Sequence, residues 1–199
     1  MRVWMDSVKA YFKPNLLLIF PLGLLAGIPY GMMVDPLNFW LSKSGVDRST
    51  IGLLSLVFSL YSFKALWAPF VDRLQLPIIK KVGQRKSWLL LSHIFILFFL
   101  VSIGSSDPNN SLNWLVYFVI GMAFFSATQD ICIDALRIEM VEQEELGQSA
   151  AVYQMGWRVG GVWISQVIGL LIGGLIGYSY AYTFVAGIFL VLSIFVFFF

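Results

Sequence analysis

The sequence predicts an all-α, polytopic membrane protein of six transmembrane helices, and three observations predict it. Hydrophobic residues make up 59% of the 199 positions and charged ones 12%, where a soluble domain carries about 25% charged residues; mean hydropathy is +0.82. Six stretches reach or approach the roughly 20 apolar residues that a helix needs to cross a hydrocarbon core of about 30 Å: Leu16–Trp40, Ile51–Val71, Ser87–Gly104, Trp114–Arg137, Ala150–Ile176 and Tyr182–Phe199. The alternating pattern of a membrane-barrel strand is absent, so helices are the way to satisfy every backbone group in lipid. This composition excludes an ordinary soluble enzyme and a disordered tail. A net charge of +2 argues against a nucleic-acid partner.

Taken in order, the first segment follows a basic tail, residues 1–15, with Arg2, Lys9 and Lys13. Its apolar run is too long for a secretory h-region and no small-residue cleavage site follows promptly, so it reads as an uncleaved first helix. Gly23, Gly27 and Gly31 recur every four residues, with Pro21 and Pro29 between them. Small residues at that spacing let helix backbones approach closely. A second reading is a broken helix that bends during gating and bares carbonyls to a cavity. The second segment follows the short polar loop Leu41–Thr50 and carries Lys64. The third carries the single histidine, His93, expected to be a packing residue. The turn sequence Gly104–Asn113, with Asp-Pro and Asn-Asn, precedes the fourth, and the acidic run Glu139–Glu145 after it reads as a solvated turn. The fifth carries Arg158 and five glycines, Gly156, Gly160, Gly169, Gly173 and Gly177. The sixth runs to Phe199 without a polar flank, so the sequence is expected to be a fragment or a shortened product. Six helices are half of a transporter architecture built from two six-helix halves.

Orientation follows from lysine and arginine. Nine of them (Arg2, Lys9, Lys13, Arg73, Lys80, Lys81, Arg85, Lys86 and Arg137) fall on the side of the N-terminus, against Lys43 and Arg48 opposite. The N-terminus is therefore expected in the cytoplasm, with Trp40 and Trp114 at the outer interface and Trp67 and Trp88 at the inner one.

Ionisable residues inside apolar segments are the informative ones, because each costs about 2.5–3.5 kcal/mol at a helix centre on insertion scales. Asp130, Asp134 and Arg137 are spaced by four and three residues and share one helix face. By helical rise, Asp130 lies about 10 Å above Arg137, Lys64 about 12 Å above Asp72, and Arg158 about 13 Å into its segment. The expectation is a neutral cluster of Lys64, Arg158, Asp130 and Asp134 at one depth. It could be a structural salt-bridge network, or a site where a carboxylate exchanges a proton and the cations meet an anionic cargo. Gln129, rotated about 100° from Asp130, offers an amide to sugar or peptide groups. Asp35 stands near the outer end of the first segment with no role assigned. One histidine and one cysteine, Cys132, leave no metal-binding set and no disulfide; Cys132 is expected to pack. No catalytic or phosphate-binding motif is present, so neither an enzyme nor a cofactor is expected.

Four stretches, WAPFVDR (Trp67–Arg73), GQRKSW (Gly83–Trp88), SATQDICIDALRIE (Ser126–Glu139) and YQMGWRVGG (Tyr153–Gly161), stand in an order and spacing that resembles the AmpG-type muropeptide permeases of the major facilitator superfamily. The likeness covers about residues 10–180. It implies the N-terminal half of a major facilitator fold, in a bacterial inner-membrane permease importing sugar–peptide cell-wall fragments with protons for peptidoglycan recycling. It also implies that Asp130 and then Asp134 exchange the proton, that Lys64, Gln129 and Arg158 bind cargo or pair charges, and that Asp72, Arg73, Arg85, Lys86 and Arg137 form a cytoplasmic gate. Gln84 stands where the relatives often have arginine. The relatives are longer, so a second helical half is an implied partner beside cargo, protons and the bilayer. The alternatives are another anionic cargo, such as a nucleotide or an acyl-coenzyme A, and a truncated, non-transporting membrane protein.

Overall fold

The computed structural model describes residues 11, 13–74 and 83–198; Arg2, Lys9, Lys80, Lys81 and Phe199 lie outside the described residues. Among the described residues the chain is helical throughout, without a strand. Six helices are long and apolar enough to cross a membrane: α1 (Pro14–Lys43), α2 (Arg48–Leu66), α3 (Gln84–Gly104), α4 (Pro108–Glu139), α5 (Gln143–Leu175) and α6 (Tyr178–Phe198). A short helix, Ala68–Arg73, extends α2.

Each helix begins before its apolar stretch. The expected loop at Gly104–Asn113 shrinks to the turn around Asp107, whose carboxylate accepts from the Asn109 amide at 3.0 Å and caps α4. Asp47 caps α2 in the same way, accepting from the Thr50 amide at 3.1 Å. Glu142 lies in the turn before α5, and Gln143–Glu145 already forms its first, 3-10 turn. Hydropathy marks the part of a helix inside lipid, whereas capping fixes where the helix begins.

α1 runs through the middle of the bundle, packed on α4, α5 and α6. Its glycine row meets a matching row on α5. A Cβ on Gly27 would stand 2.2 Å from the Trp157 carbonyl oxygen, and one on Gly160 would stand 2.3 Å from the Leu24 carbonyl oxygen. Backbone therefore lies on backbone, and the packing reading of the glycines holds: α1 is one continuous helix across Pro21, Pro29 and Pro36. Pro36 has no N–H for the carbonyl of Met32, and the buried Tyr182 hydroxyl on α6 donates to that carbonyl at 2.9 Å. Gly177 does not continue the α5 row. Its φ of +116° places it in the left-handed region that favours glycine, where it turns the chain from α5 into α6.

α5 widens into a π-helix over Val159–Ile168, and the Ser165 hydroxyl there donates to the carbonyls of Ile28 and Gly160, both at 2.9 Å. α2 is the outlying helix. Only Leu54 is buried along it, and it breaks into 3-10 turns at Ser55–Phe58 and Lys64–Leu66. The second break precedes Pro69, which cannot bond back to the Ala65 carbonyl and crowds it.

Candidate functional site

The break in α2 delivers Lys64 to α4. Lys64 Nζ donates to Asp134 Oδ2 at 3.3 Å and lies 3.6 Å from Asp130 Oδ2. Asp130 and Asp134, one turn apart, present both carboxylates to the same ammonium. Three residues on from Lys64, Trp67 Nε1 donates to Thr128 Oγ1 at 3.1 Å, so the two contacts pin the end of α2 along nearly two turns of α4. The ammonium and the carboxylates are all partly exposed, Asp134 most and Asp130 least.

Arg158 does not join this cluster, which corrects the expected neutral foursome. Gly156 and Gly160 seat α5 on α1; Arg158 stands two residues from each, about 200° around the helix. It is exposed and makes no ion pair among the described residues. Three charges therefore sum to −1 rather than zero when all are ionised.

Gln129 is also displaced from its expected place at a cavity. It is fully buried, and neither amide atom has a hydrogen-bond partner. The 100° step from Asp130 turns it into the bundle, onto the face of Ser126, Cys132 and Ile133, all of them buried. Cys132 packs with Leu22, Ala26, Val71 and Leu89, as expected.

Aromatic residues that the sequence reading passed over line the wall beside the charges. The Tyr30 ring contacts Phe58, Tyr61 and Trp157 at centroid distances of 5.2, 5.3 and 5.3 Å, joining α1, α2 and α5 around one point. Asp130 lies within electrostatic reach of the Tyr61 and Tyr153 hydroxyls. The available signal was polar–aromatic residues inside apolar segments, which is weak because aromatic residues also fill cores and interfaces.

At the end of the bundle that carries the α1 N-terminus, Asp72, Arg85 and Lys86 of the expected gate line one cavity with Gln84 and Glu139. Arg85 forms an ion pair with Glu139 on α4, and Lys13 pairs with Glu145 at the start of α5, so two members of the supposed solvated turn hold helices together. Asp72 and Arg73 are exposed and make no ion pair among the described residues. Val71 is the buried residue of that turn, and its neighbours rotate outward. The α2–α3 junction is closed by neutral groups instead. Gln84 Nε2 donates to the Val71 carbonyl at 3.0 Å and to that of Asp72, and Trp88 Nε1 donates to the Leu74 carbonyl at 2.9 Å. Arg137 donates to Ser149 Oγ at 3.2 Å and lies over the Tyr153 ring, tying α4 to α5 rather than to Asp72. Lys86 is exposed and has no ion pair among the described residues.

The family profile described as Major Facilitator Superfamily matches residues 15–199. The chain belongs to that superfamily. Within it, the chain is 34% identical over 190 residues to the protein called AmpG 4 of Rickettsia felis, covering 94% of this chain and 46% of that protein. It is 33% identical over 153 residues to the anhydromuropeptide permease of Escherichia coli K12, covering 77% of this chain and 30% of the permease. The AmpG 1 protein of Rickettsia felis is 35% identical over 147 residues, which are 73% of this chain and 33% of that protein. The major facilitator chain described here thus spans less than half the length of the curated relatives it matches, and corresponds to their N-terminal half.

Proposed function

We propose that this chain is the N-terminal half of a proton-coupled permease that brings anhydromuropeptides across the bacterial inner membrane for peptidoglycan recycling. Its N-terminus and basic loops lie in the cytoplasm, and it pairs with a second helical half. The observation that carries the reading is Lys64 held between Asp130 and Asp134. One ammonium facing two carboxylates within a membrane helix leaves one negative charge in excess, which a proton cancels. Asp130, the less exposed of the two, is the carboxylate that gains most from that cancellation, because burial penalises net charge. Asp134 stays with Lys64.

Cargo recognition is supported by position. Arg158, turned away from α1, is free to meet a cargo carboxylate. The aromatic wall of Tyr30, Tyr61 and Trp157 offers ring faces to a sugar. Gln129 is sealed in this conformation, and its unpaired amide costs about 1–3 kcal/mol for each lost bond. A rotation of α4 that turned it to a peptide cargo would remove that cost. Arg85–Glu139 and Lys13–Glu145 are the pairs that such a movement would have to part.

Uptake of radiolabelled anhydromuropeptide tests this in cells lacking their own permease, with the chain expressed beside the C-terminal half of the Escherichia coli permease and insertion checked by fractionation. Uptake is expected, and is lost with a protonophore and in Asp130→Asn. Uptake indifferent to the protonophore would remove the coupling. Entry of an acyl-coenzyme A but not of the muropeptide would replace the cargo.

A further inference from the structure

Lys86, which makes no ion pair among the described residues, lines the mouth of a partly open cavity of about 150 Å³ between α1, α3, α4 and α6. Its walls are apolar, with Leu18, Leu22, Leu90 and Val196 among them. His93 on α3 also lines it. The imidazole is 5% exposed, packs edge-on to Phe189 at 5.4 Å, and has a buried Nε2 without a hydrogen-bond partner. The cavity thus has a cation at the rim and hydrocarbon along its sides, with the imidazole ring in its lining.

We infer that this cavity is a site for one anionic phospholipid, its phosphate on Lys86, its glycerol ester by His93 and an acyl chain between α1 and α6. Seven residues separate Lys86 from His93, about 10 Å along α3. That puts the imidazole about two turns deeper than the lysine, at the depth of the ester region when the phosphate sits at the rim. Side chains on a helix lean toward its N-terminus, so both reach toward the rim, and the lysine stem covers apolar wall while its ammonium stays at headgroup level. With Glu139 taken up by Arg85, the ammonium of Lys86 is what favours an anionic headgroup over a zwitterionic one, against the carboxylate of Asp72 on the neighbouring cavity. An apolar cavity of this size is poorly served by water, which needs two to four polar partners. The inference is independent of what the protein transports.

Native mass spectrometry of the purified chain, delipidated and titrated with phosphatidylglycerol or phosphatidylcholine of identical acyl chains, tests it. One bound phosphatidylglycerol is expected, preferred about fivefold, the effect of one basic residue near a membrane surface. Lys86→Gln should bring the preference to parity, Lys86→Arg should keep it, and Leu22→Trp, which fills the cavity, should reduce retention of both lipids. Equal retention by the wild-type chain, or a preference unchanged in Lys86→Gln, would overturn the assignment. The wild-type comparison decides the matter even where a variant does not fold.

Discussion

Tyr182 supplies Met32 with the hydrogen bond that Pro36 cannot make. The hydroxyl lies 2.9 Å from the carbonyl, four residues before the proline, and Tyr182 is fully buried. Proline in the central helix of the bundle is therefore matched by a donor from a neighbouring helix. Tyr182→Phe should cost about 1 kcal/mol, the scale of interhelical hydrogen bonds in membranes. The loss should shrink in a Pro36→Ala background, where the residue 36 amide regains the carbonyl. Unfolding of the four chains in mixed micelles measures both.

The α1–α5 seam rests on missing side chains. Gly27→Ala would drive a Cβ to within 2.2 Å of the Trp157 carbonyl oxygen, so a loss of about 1–3 kcal/mol is expected from overpacking. Gly174→Ala is the control. No atom outside its local helix lies within 4 Å of a Cβ built there, and the gain in helix propensity, up to about 1 kcal/mol, should leave stability equal or higher. Equal losses at both positions would argue against the seam.

Cys132, the single cysteine, reports on the α2–α3 junction. It is 1% exposed and packs against Val71 and Leu89, below the contact between Gln84 and the end of α2. Maleimide labelling should be slow in the wild-type chain and several-fold faster in Gln84→Ala, which frees the Val71 and Asp72 carbonyls. Glu139→Gln should accelerate labelling with little change in stability, since exposed ion pairs contribute about 0–1 kcal/mol. A rate unchanged in both variants would mean that neither contact closes this end.

The start of α2 should fray in acid. Hydrogen bonds from Ser49 and then Thr50 hold the Asp47 carboxyl below its usual range. A depressed value means that the stabilisation is complete above the unfolded carboxyl pKa of about 3.9 and disappears as pH falls through the lower folded value. The protection factor of the Thr50 amide should accordingly be constant near neutrality and fall below about pH 4, and this fall should be absent in Asp47→Ala.

The six spans, the glycine seam and the pairing of Lys64 with two α4 carboxylates were legible because each follows from composition or helical period. The seat of Arg158 was not. Depth can be counted along one helix, but the face a residue presents depends on which neighbour the helix leans on, and Gly156 and Gly160 decide that only once α1 is in place. Gln129 misled for the same reason: an amide beside an intramembrane carboxylate faces either cargo or core. Glu139 and Glu145 read as solvated because their partners, Arg85 and Lys13, are far away in sequence. Pro36 was passed over, and its partner Tyr182 could not be deduced from any spacing.

Unfolding free energies in mixed micelles test most directly whether Lys64 and the two α4 carboxylates act as one unit. Four chains are compared: wild type, Lys64→Gln, Asp130→Asn with Asp134→Asn, and all three substitutions together. Lys64→Gln should cost about 1–3 kcal/mol, below the 3–5 kcal/mol of a fully buried pair because these groups are partly exposed, and most of that loss should vanish once both aspartates are neutral. A loss of the same size in both backgrounds would contradict it.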